Sequence, residues 1–239
     1  QRSLSDRALV IQTREFGSQH RNLARSLRSL GKACGLLGQH AQQQETLERA
    51  LEIEEREFGA DHREAAFTLI GLADSCGSLG DSNRHLQLAE RAIRILEPLY
   101  GPKHRELAPA LSSLADAFGA LGNAEQQRSI AERALAIQKR EFGKVHSQLL
   151  RTLRSLSKAY DALGLPEKCT KMSQMIERIE ARPAEDKVMG EQPRNRRTRE
   201  EMSVFEHSTR APLIPRRRQP GLCFKLGAFC RKRAGRKSR

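Results

Sequence analysis

The sequence repeats itself every 42 residues, and this period constrains the fold more than any other feature of the chain. An aromatic residue followed by glycine recurs in one register, at Phe16-Gly17, Phe58-Gly59, Tyr100-Gly101 and Phe142-Gly143. A histidine stands three residues after each glycine, at His20, His62, His104 and His146. Leu-Gly pairs keep the same period, at Leu37-Gly38, Leu79-Gly80, Leu121-Gly122 and Leu163-Gly164. Arg-Ala pairs do so at Arg7-Ala8, Arg49-Ala50, Arg91-Ala92 and Arg133-Ala134. A fixed period of about 20–50 residues is typical of solenoids, in which each unit buries its apolar face only against its neighbours.

Within each period, the apolar residues predict two amphipathic helices. In the third unit, the first apolar stripe advances by three or four residues, through Leu107, Leu111, Leu114, Ala115, Phe118 and Leu121. Gly122 then ends the helix, as a glycine just past a helix end commonly does. The second stripe consists of Ile130, Ala131, Ala134, Leu135, Ile137 and Phe142. Each unit is therefore expected to be an antiparallel helix hairpin with a short turn at Leu-Gly.

We therefore expect an all-α fold, an α-solenoid of helix hairpins over residues 1–181. The four hairpins are expected at about 21–58, 63–99, 105–141 and 147–181. Their first helices should lie near 21–37, 63–79, 105–121 and 147–163. A further helix near 3–16 matches a second helix whose partner is absent from the sequence, so we expect the chain to be the C-terminal piece of a longer protein.

The C-terminal segment differs from the repeats in charge. The chain has a net charge of +14, and residues 183–239 carry 16 Lys and Arg against 6 Asp and Glu. Its prolines and arginines favour a basic, mostly disordered tail over 182–239. Such a tail is compatible with binding to nucleic acid, with contact to an anionic membrane, with nuclear import, or with no dedicated ligand.

Several classes of function lack support in the sequence. The five cysteines are odd in number and form no C-x-x-C pair, which favours reduced thiols in a cytoplasmic protein, with a nuclear location possible through the basic tail. Phosphate-binding loops, zinc-protease motifs and nucleophile elbows are absent from the sequence. The four repeated histidines would be about 8–10 Å apart or more in stacked hairpins, too far to share a zinc ion. We expect no enzyme, no cofactor, no metal site and no small-molecule substrate.

The repeat resembles the tetratricopeptide repeat. The residues that carry this resemblance are Leu114-Ala115, Phe118 and Gly122, with Ala131 and Ala134-Leu135 downstream. The 42-residue variant is similar to the repeats of kinesin light chains and nephrocystin-like proteins. The resemblance implies a protein–protein interaction scaffold or adaptor whose concave groove, lined by the first helices, holds an extended peptide or a partner helix. In kinesin light chains, the ligand is an acidic peptide carrying a tryptophan.

Basic residues on two first helices are the candidate ligand contacts. Their spacing of three or four residues places each set on one helix face, which points into the groove in the usual geometry of this repeat. The candidates are Arg25, Arg28 and Lys32 in unit one, and Arg151, Arg154 and Lys158 in unit four. The equivalent positions of the middle units are neutral or acidic. These cations suit an acidic protein or peptide partner, since arginine pairs well with carboxylates. The alternatives are that the charges only keep the array soluble, or that the protein binds nucleic acid through its tail.

Small residues at core positions also predict loose packing. Unit one contains Gly31, Gly35 and Gly38, and an interior glycine costs a helix about 1 kcal/mol relative to alanine. Polar residues or cysteine replace the alanine that is usual early in the second helices, at Gln43, His85, Gln127 and Cys169. We expect an array that is looser than is typical of the family, most of all in unit one.

Overall fold

The computed structural model describes residues 20–181, together with Arg7, Ile11 and Arg14. These three residues are helical, and the rest of the helix expected near 3–16 lies outside the described residues, as does the segment 182–239. Residues 20–181 form eight α-helices, with sequential helices packed against each other. The helices are α1 (Arg21–Leu36), α2 (His40–Phe58), α3 (Arg63–Ser78), α4 (Ser82–Tyr100), α5 (Leu107–Ala120), α6 (Ala124–Phe142), α7 (Leu149–Ala162) and α8 (Pro166–Glu180). The predicted all-α solenoid of helix hairpins is confirmed.

The core runs between successive hairpins. Leucines of the first helices are fully buried, among them Leu69 of α3, Leu111 of α5 and Leu153 of α7. Alanines of the second helices that have no exposed surface pack in the same clusters: Ala92 and Ala134 with Leu69 and Leu111, Ala131 with Leu153, and Ala50 with Leu23 and Leu27 of α1. Alanine allows two helix backbones to approach closely, and burial of apolar surface contributes about 25 cal/mol per Å². The alanine of the Arg-Ala motif is therefore a helix-packing residue.

The repeated aromatic residue and histidine form one structural unit in each inter-hairpin loop. The rings stack with centroid distances of 4.9 Å for Phe58–His62, 4.7 Å for Tyr100–His104 and 4.8 Å for Phe142–His146. The Nδ1 atom of each histidine also accepts a hydrogen bond from the backbone N–H two residues further on, over 3.2 Å at His62. In the loop that joins Tyr100 to His104, Gly101 has a φ of 85°, a backbone conformation that favours glycine. The histidines are helix-start and loop-packing residues, as expected.

The repeated arginine has a role that the sequence analysis missed. Arg91 of α4 donates to Glu55 of α2 over 2.6 Å, and it also reaches the carbonyl of Ala60. Arg133 of α6 makes the same contacts one unit later, with Glu97 over 2.5 Å and with the carbonyl of Pro102. The Arg-Ala motif thus connects neighbouring second helices by charge as well as by packing. Its signal in the sequence is the glutamate that precedes the arginine by 36 residues.

The interior glycines of the first helices face side chains of the second helices. A Cβ atom at Gly35 would lie 2.7 Å from Oε1 of Gln43, and one at Gly119 would lie 2.5 Å from Nε2 of Gln127. These glycines therefore leave room for the polar residues that replace the usual alanine. Each polar side chain then reaches the next unit: Gln127, for example, donates to the Ser155 carbonyl over 3.1 Å. At Gly31, the Leu47 side chain fills the space in the same way, and the loose packing expected of unit one stays a prediction.

This pairing predicts that Gly119→Ala destabilises the protein although alanine is the better helix former. The added methyl group displaces Gln127, which is buried, from its bonds to Ser155. We expect a loss of about 1–2 kcal/mol in the free energy of unfolding by urea.

The double variant Gly119→Ala/Gln127→Ala tests the mechanism. The alanine at position 127 leaves room for the methyl group at position 119, so the cost of Gly119→Ala should disappear when Gln127 is absent. Equal costs of Gly119→Ala with and without Gln127 would contradict the explanation.

Candidate functional site

The first helices line a groove with a volume of about 940 Å³. Its lining comes mainly from α1 and α3, with three residues each from α2 and α5 and one each from α4 and α7. Phe67 and Ile70 of α3 and Pro109 of α5 give it an apolar surface. Positively charged side chains of α1 stand beside this surface. The groove therefore offers both apolar contact and charge to a ligand.

The structure brings four of the six candidate residues to this groove. Arg25, Arg28, Lys32 and Arg151 line it. Arg154 and Lys158 lie further along α7 and are not part of this lining. Arg154 instead contacts Glu180 of α8 over 2.7 Å. The face of α7 that is turned toward α8 carries Arg154, so equal spacing in the sequence does not place all six cations around one groove.

The cations of α1 differ in their partners. Arg25 and Lys32 are exposed and make no ion pair with residues 20–181. Arg28 is less exposed and lies 2.6 Å from a carboxylate oxygen of Glu64 and 3.5 Å from Glu54. Free cations exert their attraction on a ligand without first breaking a contact within the protein. Arg25 and Lys32 are therefore better placed than Arg28 to receive a carboxylate.

Glu54 of α2 is a buried carboxyl group behind Arg28, at the α1 end of the groove. Its side chain is 1 % exposed, and the Thr68 hydroxyl donates to it over 2.6 Å. Burial raises the pKa of Glu54 to about 7, although the Thr68 hydrogen bond and the Arg28 charge lower it. Glu54 occupies the position that Leu96 fills one unit later, and this replacement of an apolar core residue is the signal that sequence reasoning missed.

Arg151 lies in a network of carboxylates within the groove. It donates to both carboxylate oxygens of Asp74 over 2.9 and 2.6 Å, and its Nε donates to Asp116 over 2.8 Å. Burial lowers the pKa of Arg151, but the hydrogen bonds and charges of Asp74 and Asp116 outweigh it and raise the pKa above its ordinary value. Arg151 therefore lies in the groove with its guanidinium nitrogens engaged by carboxylates of the protein, and its role as a ligand contact stays a prediction.

The network continues into the interior. The Ser113 hydroxyl donates to Asp74 over 2.7 Å, and Nε2 of His85 lies 3.0 Å from the same hydroxyl. Because Ser113 donates its hydrogen to Asp74, its oxygen accepts from His85. Burial lowers the pKa of His85, although Asp74 raises it, so the neutral ring is favoured. Helices α3, α4, α5 and α7 are thus connected by one chain of polar contacts.

None of the helices that the structure describes is long and apolar enough to cross a membrane. In the same part of the chain, the acidic, histidine and cysteine side chains form no group of three or more that is suited to a metal ion. Cys34 and Cys76 are free, buried thiols.

Comparison with protein families identifies the class of protein that this fold defines. One tetratricopeptide repeat model matches residues 2–53 and 44–97, and a second matches residues 107–148. Together they cover more than half of the chain, which therefore belongs to the tetratricopeptide repeat family. A search among curated proteins found no match.

Solved structures show the same fold. A putative kinesin light chain with nearly identical repeats from Podosopora anserina is 22 % identical, with a TM-score of 0.57, and the match covers 75 % of this chain and 85 % of that one. BtubC (BKLC) from P. vanneervenii is 22 % identical with a TM-score of 0.61, over 82 % of this chain and 76 % of its own. The predicted resemblance to kinesin light chain-like repeats is confirmed at the level of the fold.

Glu54 predicts a specific dependence of stability on pH. Because its pKa is higher in the folded chain than the ordinary value of 4.5, the folded chain holds this proton more tightly than the unfolded chain does. The contribution of Glu54 to stability is therefore greatest below pH 4.5 and is lost as the pH rises to about 7. Glu54→Gln has no proton to lose, so its stability relative to the unmodified protein should rise across this window by about 1 kcal/mol or more.

Urea unfolding at several pH values within the window measures this difference. Glu52→Gln, at an exposed position of the same helix, is the control and should show an offset that does not change with pH. An equally constant offset for Glu54→Gln would contradict the prediction.

Proposed function

We propose that this tetratricopeptide repeat protein is a non-catalytic adaptor whose groove binds an acidic peptide segment of a partner protein. Membership of the family supports the general role, a scaffold for protein–protein interaction. The observation that carries the finer proposal is a pair of cations that have no ion-pair partner among the described residues, Arg25 and Lys32, beside the apolar surface of Phe67 and Ile70.

The distribution of charge along the groove supports an acidic ligand at one end. At the α1 end, Arg25 and Lys32 attract carboxylates, and Arg28 adds a third positive charge that is shared with Glu64. At the other end, Asp74 and Asp116 outnumber Arg151. Opposite signs across an interface determine the register of a ligand more than its total affinity. We therefore place the acidic residues of the ligand over α1 and its neutral or apolar residues over α3.

Not all six predicted cations are proposed to contact the ligand. Arg25 and Lys32 are the main contacts, and Arg28 contributes where the ligand carboxylate competes with Glu64. Arg154 and Lys158 are not expected to contact a ligand in this groove. Binding of nucleic acid by 182–239 remains a separate hypothesis that rests on the charge of that segment alone.

Charge reversal tests the proposed site. We expect Arg25→Glu/Lys32→Glu to weaken binding of a fluorescein-labelled, glutamate-rich peptide by about tenfold or more, because two attractions become repulsions. Fluorescence anisotropy at low ionic strength measures the affinity, and a glutamine-rich peptide of equal length shows how much of it depends on charge.

Arg154→Glu/Lys158→Glu is the matched control, since it changes the same two residue types and the same total charge outside the groove. Its affinity should stay within about twofold of the unmodified protein. If both double variants lose affinity equally, only the overall charge acts and the groove is not the site.

A further inference from the structure

Arg151 makes a connection that skips a whole repeat unit. It lies on α7 in unit four, whereas Asp74 lies on α3 in unit two, 77 residues earlier in the chain. Asp116, its other partner, lies on α5 in the unit between them. The family fold buries apolar surface only between neighbouring units, so a contact of this range is not required by the repeat itself.

The backbones of α3 and α7 do not pack against each other. Both helices are fully described, and they share no pair of Cα atoms within 8 Å. The packed contacts run instead from α3 to α5 and from α5 to α7. The side chains of Arg151 and Asp74 therefore meet across the groove and span the distance between α7 and α3, which are separated by α5.

The geometry of the Arg151–Asp74 contact makes it stronger than an ordinary surface ion pair. Exposed ion pairs usually contribute little, but bidentate arginine–carboxylate pairs and networks are the exception. Arg151 is bidentate to Asp74 and uses its remaining Nε for Asp116. Asp74 is itself oriented by the Ser113 hydroxyl, which is buried on α5 and is contacted by His85. Within the Arg151 cluster (Arg151, Asp74 and Asp116), Arg151 and Asp74 are thus each oriented by more than one contact.

We propose that Arg151 is a positioning residue that holds α7 toward α3 and thereby sets the width of the groove. It lines the groove, but each of its three guanidinium nitrogens already donates to a carboxylate of the protein, so it shapes the space without serving as the contact for a ligand carboxylate. This inference rests on the proposed function only in so far as the width of the groove matters for a peptide.

Hydrogen exchange of the full chain, measured by mass spectrometry, tests the connection. Arg151→Gln should accelerate exchange in α3, α5 and α7 by about tenfold or more and leave α1 and α2 unchanged. Asp74→Ala/Asp116→Ala should have the same effect. These two variants change the charge of the groove in opposite directions, so a shared effect reports the lost connection and not the charge.

Arg154→Gln is the matched control, since it removes the same residue type from the same helix while the Arg151 cluster stays intact. Exchange at α3 and α5 that is as fast in Arg154→Gln as in Arg151→Gln would overturn the proposal. Acceleration spread evenly over all helices would also overturn it, because it would indicate a general loss of stability.

Peptide binding separates this proposal from the proposed function. With the glutamate-rich peptide as the probe, Arg151→Gln should weaken binding by about threefold to tenfold, and Asp74→Ala/Asp116→Ala should not strengthen it despite the added positive charge. Stronger binding by the second variant would show that Arg151 acts as a ligand contact and would overturn the positioning role. If the unmodified protein does not bind the peptide, the proposed function fails, and the exchange measurement alone decides on Arg151.

Discussion

The structure depends on the close approach of alanine-lined second helices to the leucines of neighbouring first helices. Ala50, Ala92 and Ala134 have no exposed surface, and a larger side chain at any of them would separate two hairpins. Because every unit is buried only against its neighbours, this spacing determines where the first helices stand. The groove, its apolar surface and the distances across it all follow from that spacing.

Much of this fold could be predicted from the sequence because the repeat presents the same evidence four times. The apolar stripes give the helices, and Leu-Gly and Phe-Gly give the turns, so a single misleading residue has little effect. First helices α5 and α7 begin two residues later than predicted, at Leu107 and Leu149, because a turn follows the histidine there. The side-chain contacts that the 42-residue period does not specify could not be predicted in this way. The glycines at positions 35, 77 and 119 look destabilising in isolation and become understandable only beside Gln43, His85 and Gln127.

The candidate site was less predictable, because charge depends on partners that are distant in the sequence. Arg25 and Arg151 occupy equivalent positions in their units, yet Arg25 is unpaired among the described residues and Arg151 is bound by two carboxylates. The sequence contained Asp74 and Asp116 at the groove positions of the middle units, but the pattern did not show that they would face Arg151. The residue types and the helix face were therefore enough to predict the groove, but they did not show which of its cations lack an ion-pair partner among the described residues.

The glycine and polar pairs have a consequence for how such arrays are engineered or duplicated. In units one to three, the polar residue of the second helix extends forward and contacts the following hairpin, and its own glycine makes that possible. Unit four carries Asp161 and Cys169 at these positions, and the Cys169 thiol lies 3.3 Å from Ser157 within its own hairpin. The hairpins are thus not interchangeable parts. A copy of unit four inserted between two others would lack the forward connection, so the natural module for shuffling repeats in this chain is the junction between hairpins and not the hairpin itself.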